Sequence, residues 1–161
     1  MSARVVVLDY GSGNIRSAVR ALEHVGAEVS LTGDRDAALA ADGLFVPGVG
    51  NFHACMAGLI AADGPRIIDQ RLSGGRPVLG VCVGMQMLLS HSEEGPPGEG
   101  TAGLGLMQGD GIRFRLDGQL QPDGSRYKVP QMGWNQVIQV RPHSLWAGVP
   151  DGASFYFVHS L

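Results

Sequence analysis

The first ninety residues repeat one pattern: a short apolar run, a turn, then apolar residues recurring at helical spacing. Arg4-Val-Val-Val-Leu8 is nearly continuous and β-branched, the pattern of a strand covered on both faces, and it runs into Asp9-Tyr-Gly-Ser-Gly13. Ile15, Ala18, Val19, Leu22 and Val25 then predict a helix over 14–25, with Asn14 as N-cap and Gly26 as the stop. Ala27–Leu31 and Gly43–Val46 predict two further strands, the second ending in Pro47-Gly-Val-Gly50. Helices are expected near 52–61 and 65–72, and a fourth strand at Pro77–Val81. A last helix is expected over about 84–90, with Met85, Leu88 and Leu89 inward. Such alternation argues for a mostly parallel sheet with helices on both faces.

The pattern changes after His91. Glu93–Gly100 reads as a solvated loop, and Leu104–Leu161 has no strong helical period. Gly111–Leu116 and Tyr127–Val129, flanking the polar turn Asp117–Ser125, predict strands, as do Gln136–Val140 and Ser154–Val158, so this part is expected to be β-rich and the sheet mixed. With 161 residues, 44% of them hydrophobic, a single domain over 1–161 is the expectation.

Composition narrows the partners. A net charge of -3 offers no basic footprint for nucleic acid or an anionic membrane, and no apolar run is long enough to span a bilayer. The N-terminus shows no cleavable signal pattern, so a cytoplasmic location is expected. Cys55 and Cys82 lack metal-ligand or C-x-x-C spacing and are expected to be free thiols. Glycine is the compositional outlier, with 25 residues in 161, about twice the average share of roughly 7%. Many tight turns must be accommodated.

The sharpest local feature is Gly80-Val-Cys-Val-Gly-Met-Gln86, a thiol with glycines two places before and two after it, at a strand-to-helix junction. This is the pattern of a nucleophile elbow, whose turn is so tight that larger flanking side chains would collide. It places the thiol at a helix N-terminus, where backbone N–H groups favour a thiolate and the Val83 N–H is free to donate to an oxyanion. The glycines of Pro47-Gly-Val-Gly50 let backbone N–H groups approach a substrate, and in a doubly wound sheet Gly50 and Cys82 are expected to share the crevice at the C-terminal strand ends. Gly11-Ser-Gly-Asn-Ile-Arg16 is not a dinucleotide fingerprint, because Arg16 stands where the third glycine is needed. Cys55, among Phe52, Met56 and Leu59 on one helix, reads as packing. The histidines are scattered: His24, His53 and His91 read as surface residues, His143 lies near a helix start, and His159 ends the aromatic run Phe155-Tyr-Phe-Val158.

Taken together, Asp9-Tyr-Gly-Ser-Gly-Asn14, Pro47-Gly-Val-Gly50, the elbow, Met132-Gly-Trp-Asn135 and Phe155-Tyr-Phe-Val-His-Ser160 resemble the class I glutamine amidotransferases. The last two motifs narrow the resemblance to the glutaminase subunits of imidazole glycerol phosphate synthase, which serve histidine biosynthesis. The resemblance spans nearly the whole chain. It implies a three-layer, flavodoxin-like α/β fold in which Cys82 attacks the side-chain amide of L-glutamine, giving a glutamyl thioester and ammonia. Val49, Gly50 and Val83 would then form the oxyanion hole and its surroundings, Gln86 would help hold the substrate, and His159 and Ser160 would lie near the glutamine site and the partner interface. The implied partner is a (βα)8 synthase subunit that receives the ammonia, and no metal or organic cofactor is needed.

Two departures qualify the resemblance. Gln131 stands where the family usually has a histidine. The family also continues beyond Phe-Tyr-Phe-Val-His-Ser into a Phe-His-Pro-Glu segment that supplies the base and its orienting glutamate. This chain ends at Leu161, so the expectation is a C-terminally incomplete domain whose triad is reduced to its nucleophile, with slow turnover. Two rivals remain at this point: a non-catalytic scaffold that keeps the synthase-facing surface, and an unrelated cysteine hydrolase, for which Met132–Asn135 and Phe155–Ser160 would have no purpose.

Overall fold

The computed structural model describes residues 2–12 and 14–161 and divides them into two compact units, one ending at Ile112 and one running from Arg113 to Leu161. The first holds a four-stranded sheet of β1 (Arg4–Leu8), β2 (Glu28–Thr32), β3 (Gly43–Val46) and β4 (Val78–Gly80) in the order β2-β1-β3-β4, with every neighbouring pair parallel. Between the strands run α1 (Ile15–His24), α2 (Arg35–Ala40), α3 (Phe52–Ala61) and α4 (Gly64–Ser73), and β4 leads into α5 (Val83–Gln86). The β1-to-β2 and β2-to-β3 crossovers run in opposite directions along the sheet. With the usual right-handed connection they place α1 on one face and α2 on the other.

Register and burial agree with that placement. Val6, Leu44 and Val78 lie opposite one another across β1, β3 and β4, and with Leu8 and Val46 they face the core formed with Ala38, Phe52, Leu59, Ile67 and Ile68. Val7, one residue out of phase, is also fully buried although it stands outside that cluster. A strand buried on both faces reads as a continuous β-branched run, as Arg4–Leu8 does. The helix starts follow local chemistry: the Asp34 carboxylate accepts from Ala37 N (2.7 Å) and the Asn51 side chain accepts from Ala54 N (3.0 Å).

Four local expectations need correction. The helix after the elbow is α5, Val83–Gln86, and not 84–90. It tightens into i-to-i+3 bonds from Leu88 N to Met85 O and from Leu89 N to Gln86 O, and then turns away. Its inward residues are Val83, Gly84, Met87 and Leu88, whereas Met85 is exposed and Leu89 half-buried. Of the expected strand 111–116 only Gly111 lies in a strand, as part of β7 (Asp110–Gly111). This short strand joins β5 (His91–Ser92) and β6 (Thr101–Ala102) in a three-stranded patch ordered β6-β5-β7, and its bonds do not extend the parallel sheet. Tyr127–Val129 is likewise not a strand.

The strand expected at Gln136–Val140 lies instead at β8 (Gln131–Gln136), paired antiparallel with β9 (Ser154–His159) from Gln131 opposite His159 to Gln136 opposite Ser154. Gly133 and Asn135 are poor strand formers, and the signal was hidden until the partner strand supplied cross-strand pairs such as Trp134 against Tyr156, with ring centroids 5.5 Å apart. Beyond Val137 the Asp151 carboxylate takes the Gln139 N–H at 2.7 Å, which ends the ladder. Met132–Asn135 is therefore strand.

Candidate active site

The elbow is built as its glycines require. Cys82 follows β4 and has φ 56° and ψ -125°, a left-handed conformation that L residues avoid and that is found where a nucleophile is thrust out of a tight turn. Its side chain is exposed, whereas Val83 and Gly84 behind it are buried. The turn closes with Gly84 N donating to Val81 O at 3.0 Å, and Met85 N and Gln86 N both donate to Cys82 O. Among the described residues the Val83 N–H has no backbone acceptor, so it remains free at the base of the thiol.

The Pro47–Gly50 loop lies directly against this turn. Val81 N donates to Val46 O at 3.1 Å, which carries the strand pairing up to the elbow. A Cβ on Gly84 would stand 2.0 Å from Val46 O, and one on Gly48 would stand 2.4 Å from Gly84 N. No real side chain tolerates such distances. Glycine at both places is thus the condition for the loop and the elbow to touch. Pro47 and Gly48 are buried, while Val49 and Gly50 are exposed and their N–H groups have no backbone acceptor among the described residues. Gln86 is half-buried four residues after Cys82.

A buried polar cluster behind the loop is absent from the sequence-level reading. Tyr10, almost fully buried, donates its hydroxyl to Pro47 O. Cys55, 1% exposed, donates its thiol to Val49 O at 3.3 Å and lies 3.1 Å from Ser12 Oγ, which itself reaches Val49 O at 3.5 Å. Cys55 is thus a packing residue, as its place in the helix stripe indicated, and also a donor. The loop's far end is held by Glu94, whose carboxylate accepts from Phe52 N at 2.8 Å. Glu94 was expected in a solvated loop, and its approach to α3 depends on the turn at β5.

The remaining candidates have local partners of their own. His53 Nδ1 lies 3.1 Å from Thr101 Oγ1, and His91 Nε2 lies 3.4 Å from Glu99 O. His143 caps the 3₁₀ turn Ser144–Trp146 by accepting from Leu145 N at 3.0 Å. His159 and Ser160 belong to the second unit. There His159 is half-buried, with Nδ1 2.8 Å from Leu161 O and its ring against Phe114 and Phe157, and exposed Ser160 accepts at its carbonyl from Phe114 N. Among the described residues no cluster of three or more His, Cys, Asp or Glu could hold a metal ion, and no helix is long and apolar enough to cross a membrane.

Comparison with known proteins bears on this geometry. Residues 6–161 match the family described as glutamine amidotransferase class-I. The chain is 50% identical over 157 residues to the imidazole glycerol phosphate synthase subunit HisH of Corynebacterium diphtheriae, covering 98% of this chain and 69% of that protein. It is 53% identical over 156 residues to the subunit of the same name from Mycobacterium tuberculosis (97% and 70%), and 48% identical over 160 residues to that of Thermobifida fusca (99% and 70%). Among solved structures, one of a glutamine amidotransferase aligns with a TM-score of 0.64 at 20% identity, over 97% of this chain and 70% of that one. A putative peptidase E from Listeria monocytogenes aligns with a TM-score of 0.53 at 15% identity, over 65% and 63%. These two likenesses concern the fold alone. The family match covers the elbow and the loop packed on it together, and on that ground the chain belongs to the class I glutamine amidotransferases, alongside the HisH subunits of imidazole glycerol phosphate synthase.

Proposed function

We propose that this chain is the glutaminase subunit of an imidazole glycerol phosphate synthase, in which the Cys82 thiolate attacks the side-chain amide carbon of L-glutamine. The Sγ–C bond forms, the amide nitrogen leaves with a proton as ammonia, and water then cleaves the thioester to glutamate. The observation that carries this reading is the exposed Cys82 at φ 56° on an elbow whose Gly84 packs against the Pro47–Gly50 loop. A strained, accessible thiol beside unbonded backbone N–H groups is suited to acyl transfer, in which charge develops on the carbonyl oxygen.

We assign the oxyanion role to the N–H groups of Val83 and of the Val49–Gly50 segment, and a substrate-holding role to Gln86. In the first unit His53 is engaged with Thr101 and His91 with Glu99, so neither is assigned as the base. The ammonia is passed to a (βα)8 synthase subunit. We assign His159 and Ser160 to contacts with that partner, a role supported by the exposure of Ser160 and of the neighbouring Trp134 and Tyr156. The cytoplasm is the proposed compartment, since both cysteines are free thiols of the kind a reducing environment maintains.

The test is alkylation by the chloroketone analogue of glutamine, read by peptide mass. Cys82 is expected to be modified, L-glutamine to protect it, and Cys55 to stay unmodified in the native protein. A native chain in which the analogue prefers Cys55, or in which glutamine gives no protection, would show that the elbow is not a glutamine site.

A further inference from the structure

The Tyr10–Ser12–Cys55 cluster has no part in the attack on glutamine, yet its donors converge on the backbone of one loop. A trans peptide is planar, so its C=O and N–H point in opposite directions, and a carbonyl that is held also fixes the N–H of the following residue. Tyr10 holds the carbonyl of Pro47 and thereby orients Gly48 N–H. Cys55 and Ser12 hold the carbonyl of Val49 and thereby orient Gly50 N–H. Glycines have no side chain to restrict such a peptide, and Gly50, at φ 85°, has open space where a Cβ would stand. Without external partners this loop would sample several peptide orientations.

We propose that Tyr10, Ser12 and Cys55 are positioning residues: Cys55 and Ser12 hold the Val49 carbonyl so that the Gly50 N–H stays aimed for oxyanion stabilisation at Cys82, and Tyr10 anchors the buried start of the same loop through the Pro47 carbonyl. The inference rests on the amidotransferase reading above and extends it to residues that never touch the substrate. The cluster suits this task. Burial, and secondarily the neighbouring Cys55, hold the Tyr10 hydroxyl well above the usual phenol range, so it stays a donor. Its ring is seated where α3 carries Gly58, at which a Cβ would stand 2.8 Å from Tyr10 O and 3.4 Å from the ring. The Cys55 thiol lies on the buried face of α3, whose N-terminus is fixed by Asn51 and Glu94. The loop is thus held by β1's turn on one side and by α3 on the other.

Two reagents for Cys82 separate positioning from folding. With the chloroketone analogue of glutamine, Sγ adds to the ketone carbon and charge develops on its oxygen; sulfur then bonds to the methylene carbon as chloride leaves and the carbonyl re-forms. A methanethiosulfonate has no carbonyl: Sγ takes its sulfenyl sulfur and methanesulfinate departs. Tyr10→Phe and Cys55→Ala are each expected to slow chloroketone alkylation of Cys82 by about tenfold or more, since a single oxyanion donor is worth roughly 10²–10³-fold when removed outright. Both should leave the thiosulfonate rate within about twofold. Ser12→Ala, at a half-buried position, is expected to have a smaller effect of the same kind, and it serves as the test variant if Tyr10→Phe proves unstable. Cys55→Ser keeps a donor at the same place and is expected to recover most of the chloroketone rate. Equal loss with both reagents, no loss with either, or a Cys55→Ser variant as slow as Cys55→Ala would overturn the positioning role. A parent chain that takes the thiosulfonate at Cys82 but ignores the chloroketone would instead overturn the amidotransferase reading, and the positioning role with it.

Discussion

At φ 56° and ψ -125° the Cys82 side chain is crowded by its own backbone, in a conformation that costs a non-glycine residue on the order of 1–3 kcal/mol. That strain is the other side of reactivity, because the same turn lifts the thiol clear of the sheet and leaves Val83 N–H unbonded beside it. Cys82→Gly is therefore expected to stabilise the chain while abolishing alkylation by the glutamine analogue. The added freedom of glycine in the unfolded chain offsets part of the gain, leaving about 1 kcal/mol relative to Cys82→Ala, which keeps the strained backbone. Urea unfolding of the two variants checks this, and a Cys82→Ala variant as stable as Cys82→Gly would mean that the turn is not strained. The glycines where the loop meets the elbow have a different reason. Gly48 and Gly84 are required by close approach to neighbouring backbone, and no residue-level propensity could have told that from a need for positive φ.

Between elements, the join that stands out is made by Arg71 of α4, which is fully buried and donates to four carbonyls: Ala38 and Ala41 through Nη1, at 2.6 and 3.0 Å, and Asp42 and Pro77 through Nη2, at 3.2 and 3.1 Å. Ala38 and Ala41 belong to the end of α2 and its cap, where backbone carbonyls lack helical partners and a cation is favoured. One side chain thus ties the C-terminal end of α2 and the approaches to β3 and β4 to α4. Arg71→Met keeps most of the volume but removes the donor from Ala38 O and Asp42 O, while Pro77 O keeps Leu44 N and Ala41 O keeps Arg76 Nη1, and each buried unpaired group costs about 1–3 kcal/mol. Because some of these carbonyls lie near the surface and can recruit water, the expected loss is about 3 kcal/mol by urea unfolding. Arg71→Lys should lose nearly as much, since an ammonium cannot reproduce the fork. From sequence, Arg71 near the end of a helix reads as an ordinary solvated cation, and only the docking of α2 beside α4 makes it interior.

On the scale of the whole molecule the two units differ in how their strands are supported. β1 and β3 have strands on both sides and a buried core, whereas β8 and β9 form a two-stranded ribbon in which Trp134, Tyr156 and Val158 are more than half exposed. An isolated two-stranded ribbon is marginal in water. Amide hydrogen exchange of the free chain is therefore expected to be at least about tenfold faster along β8–β9 than along β1 and β3. Equal protection in the two regions would mean that the ribbon is covered in solution, and slowing of exchange along the ribbon on adding a cognate synthase subunit would place it at the interface.

Much of the first unit was legible because its signals are local. A continuous β-branched run and a 3.6-residue period report burial through neighbours close in sequence, which is why Gly43–Val46 and the helix at 52–61 were placed to the residue, whereas Asn14, expected to cap α1, makes no side-chain bond to it. The elbow was legible for the same reason, since tight turns select glycine within a few positions of the nucleophile. The rest depended on partners distant in sequence. β8 became a strand only by pairing with β9 some twenty residues on, against the preferences of Gly133 and Asn135. α5 stopped at Gln86 because the chain beyond it bonds to residues 103–111. Cys55 carries an apolar stripe's ordinary signature, and only the folding of β1's turn against α3 makes it a donor to the Val49 carbonyl. The parallel α/β frame, the elbow that carries Cys82 and the family were thus legible from the chain alone, and all of them rest on short-range sterics and patterning. Tertiary structure alone decided which buried polar atoms meet the loop beside the elbow, because a hydrogen bond depends on tenths of an ångström between groups that the chain brings together only when it closes.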